Sequence, residues 1–167
     1  MPFELRPHPQ PTLRPEGDYI QRAWSQSVYP LAGQMGVPIR LPQMSPQPHT
    51  HLAFEGYQYA KEHGKGNEYN HRVLEAFFVE SQDIGDIGVL TKLAGEVGLD
   101  EREFEQALQT RKYHEAHRRA LQHAHEEVGV TGVPMFVIGG QVLSGLQDRE
   151  TLEATIEEEL GDGRLGS

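Results

Sequence analysis

The sequence predicts a mixed fold, α+β or α/β, whose sheet domain is split by a helical insertion. Three observations predict it. A short strand pattern opens the chain at Pro2–Leu5. A long middle stretch repeats its apolar residues at helical spacing. After Gly129 the period switches to that of strands: Met135–Ile138, a Gly139-Gly140 turn signal, then Gln141–Ser144. A lone strand cannot form a sheet and a lone hairpin is marginal, so the two ends are expected to meet with the helices inserted between them.

The elements follow in order. Arg6-Pro7-His8-Pro9-Gln10-Pro11 must be extended coil, because proline removes ladder donors and breaks helices. Asp18 is placed to cap a helix carrying Ile20, Ala23 and Trp24, and Pro30 to sit in the first turn of a separate short helix ending at Gly36. Val37–Leu41 reads as extended, and Pro42, Pro46 and Pro48 keep the next stretch irregular. Thr50 caps a helix through Leu52, Ala53, Tyr57 and Ala60 that closes at His63-Gly64. Asn67 opens the next, whose stripe of Val73, Leu74, Ala76, Phe77 and Phe78 is wide enough to be buried on more than one side. Asp86 precedes Leu90, Leu93, Ala94 and Val97, with Gly98 as the stop. Asp100 with Glu103 resembles a capping box before Phe104, Ala107 and Leu108. A long helix then carries Tyr113, Ala116, Ala120, Ala124 and Val128 to Gly129. Asp148 caps a last helix bearing Leu152, Ile156 and Leu160, followed by a frayed tail over 161–167.

Composition removes several function classes. The chain has 167 residues with 15 basic and 25 acidic side chains, a net charge of -10. That balance disfavours phosphate backbones and anionic membranes, so neither nucleic acid nor membrane is expected as a partner. There is no cysteine. Disulfides, thiolate catalysis and cysteine-ligated metal therefore have no carrier in these residues. No run reaches the roughly 18 apolar residues of a membrane span, and Met1–Pro7 lacks the basic and apolar regions of a secretory signal. A cytoplasmic protein is the expectation.

The informative stretch is Gly129-Val130-Thr131-Gly132-Val133-Pro134-Met135-Phe136-Val137-Ile138 with its Gly-Gly turn. Pro134 begins a strand, where it needs no ladder donor. By its residues alone a trans bond there is the commoner outcome. A cis Val133–Pro134 bond would turn Thr131–Val133 outward, leaving peptide groups free to receive an extended peptide. Val-Thr-Gly-Val-Pro-Met-Phe-Val-Ile, the turn, Val-Leu-Ser-Gly-Leu-Gln and a helix near Asp148 resemble the C-terminal half of the DsbA-family thioredoxin fold. FrnE proteins and the 2-hydroxychromene-2-carboxylate isomerase group are the nearest in pattern. Phe78–Leu90 and Ala94–Asp100 resemble the inserted helical domain of FrnE, and Pro2–Pro7 the family's second strand and following turn. The resemblance spans essentially the whole chain.

It implies an α/β, truncated thioredoxin-like fold with a large all-helical insertion. The sheet domain would comprise residues 1–41 and 129–160, and the insertion 42–128. It also implies a cis Val133–Pro134 bond and a substrate- or peptide-binding edge at Thr131, Gly132, Val133 and Pro134. The family activity is thiol–disulfide oxidoreduction on protein or peptide thiols. Here the strand and helix that would precede Pro2, with their Cys-x-x-Cys motif, are absent, as is the region holding the isomerases' reactive serine. Because disulfide exchange needs a thiolate, this chain is expected to be redox-inactive, with no catalytic residue, cofactor or metal. The alternatives are a non-catalytic binding or assembly protein that uses the Thr131–Pro134 edge, and a glutathione-linked isomerase. In the family the absent strand lies between the Pro2–Leu5 and Met135–Ile138 strands. Its loss exposes a strand edge, so a homo-oligomer covering that gap is expected.

Other constellations read as ordinary surface or core. His49, His51, His114, His117, His123 and His125 carry a faint metal signal, with Glu115 as a conceivable partner, but three-residue spacing suits paired ligands poorly. Glu126-Glu127 and Glu157–Glu159 read as solvated faces. Trp24, Tyr57, Tyr59 and Tyr113 read as core, with a small-molecule pocket as the sharper alternative.

Overall fold

A computed structural model describes residues 2–162. The chain divides into two compact units: residues 2 and 4–120 form one, and Phe3 with the chain from Leu121 onward forms the other.

The first unit is helical: α1 (Asp18–Ala23), α2 (Tyr29–Met35), α3 (His51–Glu62), α4 (Gly66–Phe78), α5 (Ile87–Glu96) and α6 (Glu101–Gln109), with α7 (His114–Gln122) crossing the boundary. Its core is built from Tyr59, Ala60, Tyr69, Ala76, Leu90, Leu93, Ala94, Phe104 and Leu108. Ala60, Ala76, Leu90, Leu93, Ala94, Phe104 and Leu108 are positions the helical periodicities mark; Tyr59 and Tyr69 are not, and the marked Leu52 and Tyr57 are only partly buried. α3, α4, α5 and α6 pack on one another around this core. The caps form as their residue types require: Asp86 accepts from Val89 N at 2.9 Å and Asp100 from Glu103 N at 2.8 Å.

Several local expectations change. α1 and α2 are not separate helices. A π-helical turn over Trp24–Val28 joins them into one run, which Gly36 closes at φ 67°. The residue preceding α1 is Gly17, and Asp18 lies inside the helix. Thr50 stands at the start of α3 without a side-chain capping bond. The long last helix of this region gives way to a π-helical turn over His123–Glu127.

The second unit holds the only ordered sheet among the described residues, an antiparallel pair of β1 (Met135–Ile138) and β2 (Gln141–Ser144). Its register pairs Phe136 with Leu143, Val137 with Val142 and Ile138 with Gln141. Gly139 occupies φ 57°, which the two-residue turn needs. α8 (Arg149–Asp162) packs on β1, and Glu159 accepts a bond from Gly140 N at 3.2 Å. Asp148 caps it, accepting from Thr151 N at 2.7 Å. The expected stripe is only partly covered: Thr155 is buried, while Ile156 and Leu160 are exposed. α8 includes Gly161 and Asp162, and the rest of the expected tail lies outside the described residues.

Pro2–Leu5 is a correction. No strand forms there, because no other segment offers it a ladder. What anchors the segment is a side chain: Glu4 is buried and bonded to a histidine of α7.

Candidate functional site

In the second unit, the segment singled out in the sequence lies between Gly129, at φ 72°, and β1. Val130 is buried and its N–H donates to Ala124 O at 2.9 Å. Thr131, Val133 and Pro134 are exposed and Gly132 half-buried. Among the described residues, Thr131, Gly132 and Val133 make no backbone–backbone hydrogen bond. The Val133–Pro134 peptide is cis, and Pro134 O accepts from Gly145 N at 2.9 Å. That bond extends the hairpin by one pair and sets the alternation along β1. Phe136 and Ile138 direct their peptide groups to β2, while those of Met135 and Val137 face the open edge. Val137 and Val142, side by side on one face, remain about half exposed at 47% and 53%.

A second constellation lies in the first unit, where α3 meets the turn from α6 into α7. Glu55 is fully buried. Arg111 grips it, Nε donating at 2.9 and 3.1 Å and Nη2 at 2.6 Å, and Arg111 Nη2 also lies 3.2 Å from His114 Nδ1. Arg111 holds φ 53°, a left-handed conformation that a side chain disfavours. It is the residue after the α6 C-cap, and Lys112 N bonds back to Ala107 O at 2.9 Å, the geometry that usually selects glycine. One turn on, buried His117 meets buried Glu4 through Nε2 at 2.6 Å, and its ring stacks on Phe54 at 5.3 Å. His51 stands four residues before Glu55 on α3. Its burial first, and the nearby Arg111 second, hold its pKa below the ordinary imidazole value. Among the described residues, the Nδ1 atoms of both His51 and His117 are buried without a hydrogen-bond partner.

The histidines are thus scattered into different roles. His114 approaches Glu55, His117 binds Glu4, His49 meets Gln10 O, and Glu115 pairs with Arg118. In the second unit His125 packs against Phe3. Among the described residues no group of three or more His, Asp or Glu is arranged to hold a metal ion. Sequence reasoning missed Glu55, Arg111 and Glu4. The four-residue spacing of His51 and Glu55 on a helix was a signal, but nothing in the sequence marks a glutamate for complete burial.

Comparison with known proteins converges on one fold. The DSBA-like thioredoxin domain model matches residues 1–157. The uncharacterised protein YwbO of Bacillus subtilis (strain 168) is 52% identical over 160 residues, which are 95% of this chain and 80% of YwbO. Two solved structures share the fold at low identity. A 2-hydroxychromene-2-carboxylate isomerase superposes with TM-score 0.72 at 19% identity, covering 89% of this chain and 72% of the isomerase. A candidate protein disulfide isomerase from Nitrosomonas europaea superposes with TM-score 0.73 at 17% identity, covering 94% of this chain and 79% of that protein.

Proposed function

This chain belongs to the DSBA-like thioredoxin-domain family, and we propose that it serves as a polypeptide-binding module of that family without sulfur chemistry of its own. Its ligand is an extended peptide lying along Thr131, Gly132 and Val133 and hydrogen-bonding their peptide groups. The supporting observation is that these three residues lie just before β1, make no backbone–backbone hydrogen bond among the described residues, and expose Thr131 and Val133. The family's thiol–disulfide exchange needs a thiolate, and no residue of this sequence supplies one. Titration with an unstructured thiol-free peptide, followed by amide chemical shifts, tests the binding. The largest shifts are expected at 131–133, and Val133→Pro, which deletes one amide donor, should weaken binding at least threefold. Shifts confined to other residues would overturn the reading.

The open edge of β1 supports a second part of the proposal: in this form the chain pairs with a second copy of itself through Met135–Val137. From Val128 to Gln147 there is no charged residue, in a chain of net charge -10. This uncharged hairpin is the stretch where two copies approach with least repulsion, and it carries none of the lysines that ordinarily protect an edge strand. Light scattering should give twice the chain mass, and Val137→Lys should give the monomer. A cooperative wild-type monomer at micromolar concentration would rule this pairing out.

A further inference from the structure

We propose that the helical unit contains a binding site for one small uncharged aromatic ring, in a cavity between α3 and α4. The cavity has a volume of about 160 Å³. Its walls are Ala53, Phe54 and Tyr57 of α3, Val73, Leu74 and Phe77 of α4, with Tyr69 and Ile84 at the buried side. No charged side chain lines it. A cavity of roughly 150 Å³ lined by apolar groups stays dry and accepts a benzene-sized guest, so volume and wall chemistry point to the same class of ligand. A charged ligand would lose its hydration with no countercharge to replace it.

The walls are held in place from outside. Tyr69 packs on Phe104 with ring centroids 5.5 Å apart and Phe54 stacks on His117; within the wall, Phe77 meets Phe78 edge-on at 4.9 Å. Substitution at Gly56, beneath Tyr69, is blocked by Tyr69 and Phe104 themselves. The site is therefore preformed, and a guest ring meets aromatic walls disposed for edge and offset contacts. The mouth is marked by Asn70 and Leu74, both exposed, and by Thr50. The Thr50 and Asn70 side chains make no hydrogen bond among the described residues, and Thr50 does not cap its own helix. They favour a ring with one polar tip, such as a phenol or an indole, over a plain hydrocarbon.

The test uses the full chain with benzene, phenol and indole as probes, read by thermal unfolding and by side-chain NMR shifts. Phenol and indole should raise the unfolding temperature and shift resonances of Ala53, Val73 and Ile84. Ala53→Leu fills the space and should weaken binding at least tenfold. Leu74→Trp, at an exposed mouth position, should do the same. Asn70→Leu should narrow the preference of phenol over benzene at least threefold. Absence of any shift with all three probes at millimolar concentration overturns the proposal. So does wild-type affinity in either blocking variant.

Discussion

Arg111 is where side-chain and backbone demands conflict most plainly. Its left-handed φ of 53° favours glycine, yet Glu55 is fully buried and takes its charge-assisted bonds from this one guanidinium. Arg111→Gly relieves backbone strain of about 1 kcal/mol but leaves a carboxylate buried without its partner, a loss of roughly 3–5 kcal/mol. The net expectation is destabilisation of about 2–4 kcal/mol by denaturant unfolding, much of it recovered when Glu55→Gln is added. A neutral or stabilising Arg111→Gly would show that the ion pair does not hold this turn. His51 gives a pH dependence. Its pKa is lowered in the fold, so the unfolded chain binds the proton more readily. The associated stability is complete above the unfolded value of 6.5 and declines as pH falls from there to the folded value. Arg111, Glu4, Glu55 and His49 all act on the same ring. Comparing urea midpoints at pH 7.5 and 5.5, His51→Gln should lose less stability on acidification than the wild type.

At the scale of elements, two devices account for the packing of the helical unit. The aspartate caps start α5 and α6 where an acceptor was available for the exposed amides, and Asp86→Ala or Asp100→Ala should each cost about 1 kcal/mol. Close approach is the other. A Cβ on Gly56 would run into Tyr69 Oη and Phe104 Cζ, so Gly56→Ala, helix-favouring by propensity, should instead destabilise by about 1–3 kcal/mol. Equilibrium denaturation of the three variants separates the two effects, since an exposed α-helix would gain from Gly→Ala. In the second unit the hairpin shows why four-residue spacing was a poor guide to α8. Thr155 is buried and Glu159 bonds the turn at Gly140, while Ile156 and Leu160 stay exposed.

On the scale of the whole molecule, the family fold stands without any cysteine. In insulin reduction with dithiothreitol as electron source, the purified chain should not raise the rate above the reagent alone, because no thiolate relay exists. A catalysed rate in cysteine-free, contaminant-free protein would contradict the proposed binding role. Among the described residues no helix is long and apolar enough to cross a membrane.

The sequence by itself determined most of the helical core, the caps at Asp86, Asp100 and Asp148, the Gly139-Gly140 hairpin and the family to which Thr131–Ile138 points. All of these are local signals: period, cap chemistry, turn residues and a contiguous motif. Only the tertiary structure decided that Pro2–Leu5 forms no strand, because a strand exists through its partner and the residues cannot name one. It alone brought Glu4 to His117 across 113 positions and Arg111 to Glu55 across 56. Side-chain contacts between distant segments follow from how helices pack, and no spacing rule along the chain anticipates them. The same reason hid the cavity between α3 and α4. An apolar stripe reads alike whether its neighbours fill the space against it or leave room for one ring.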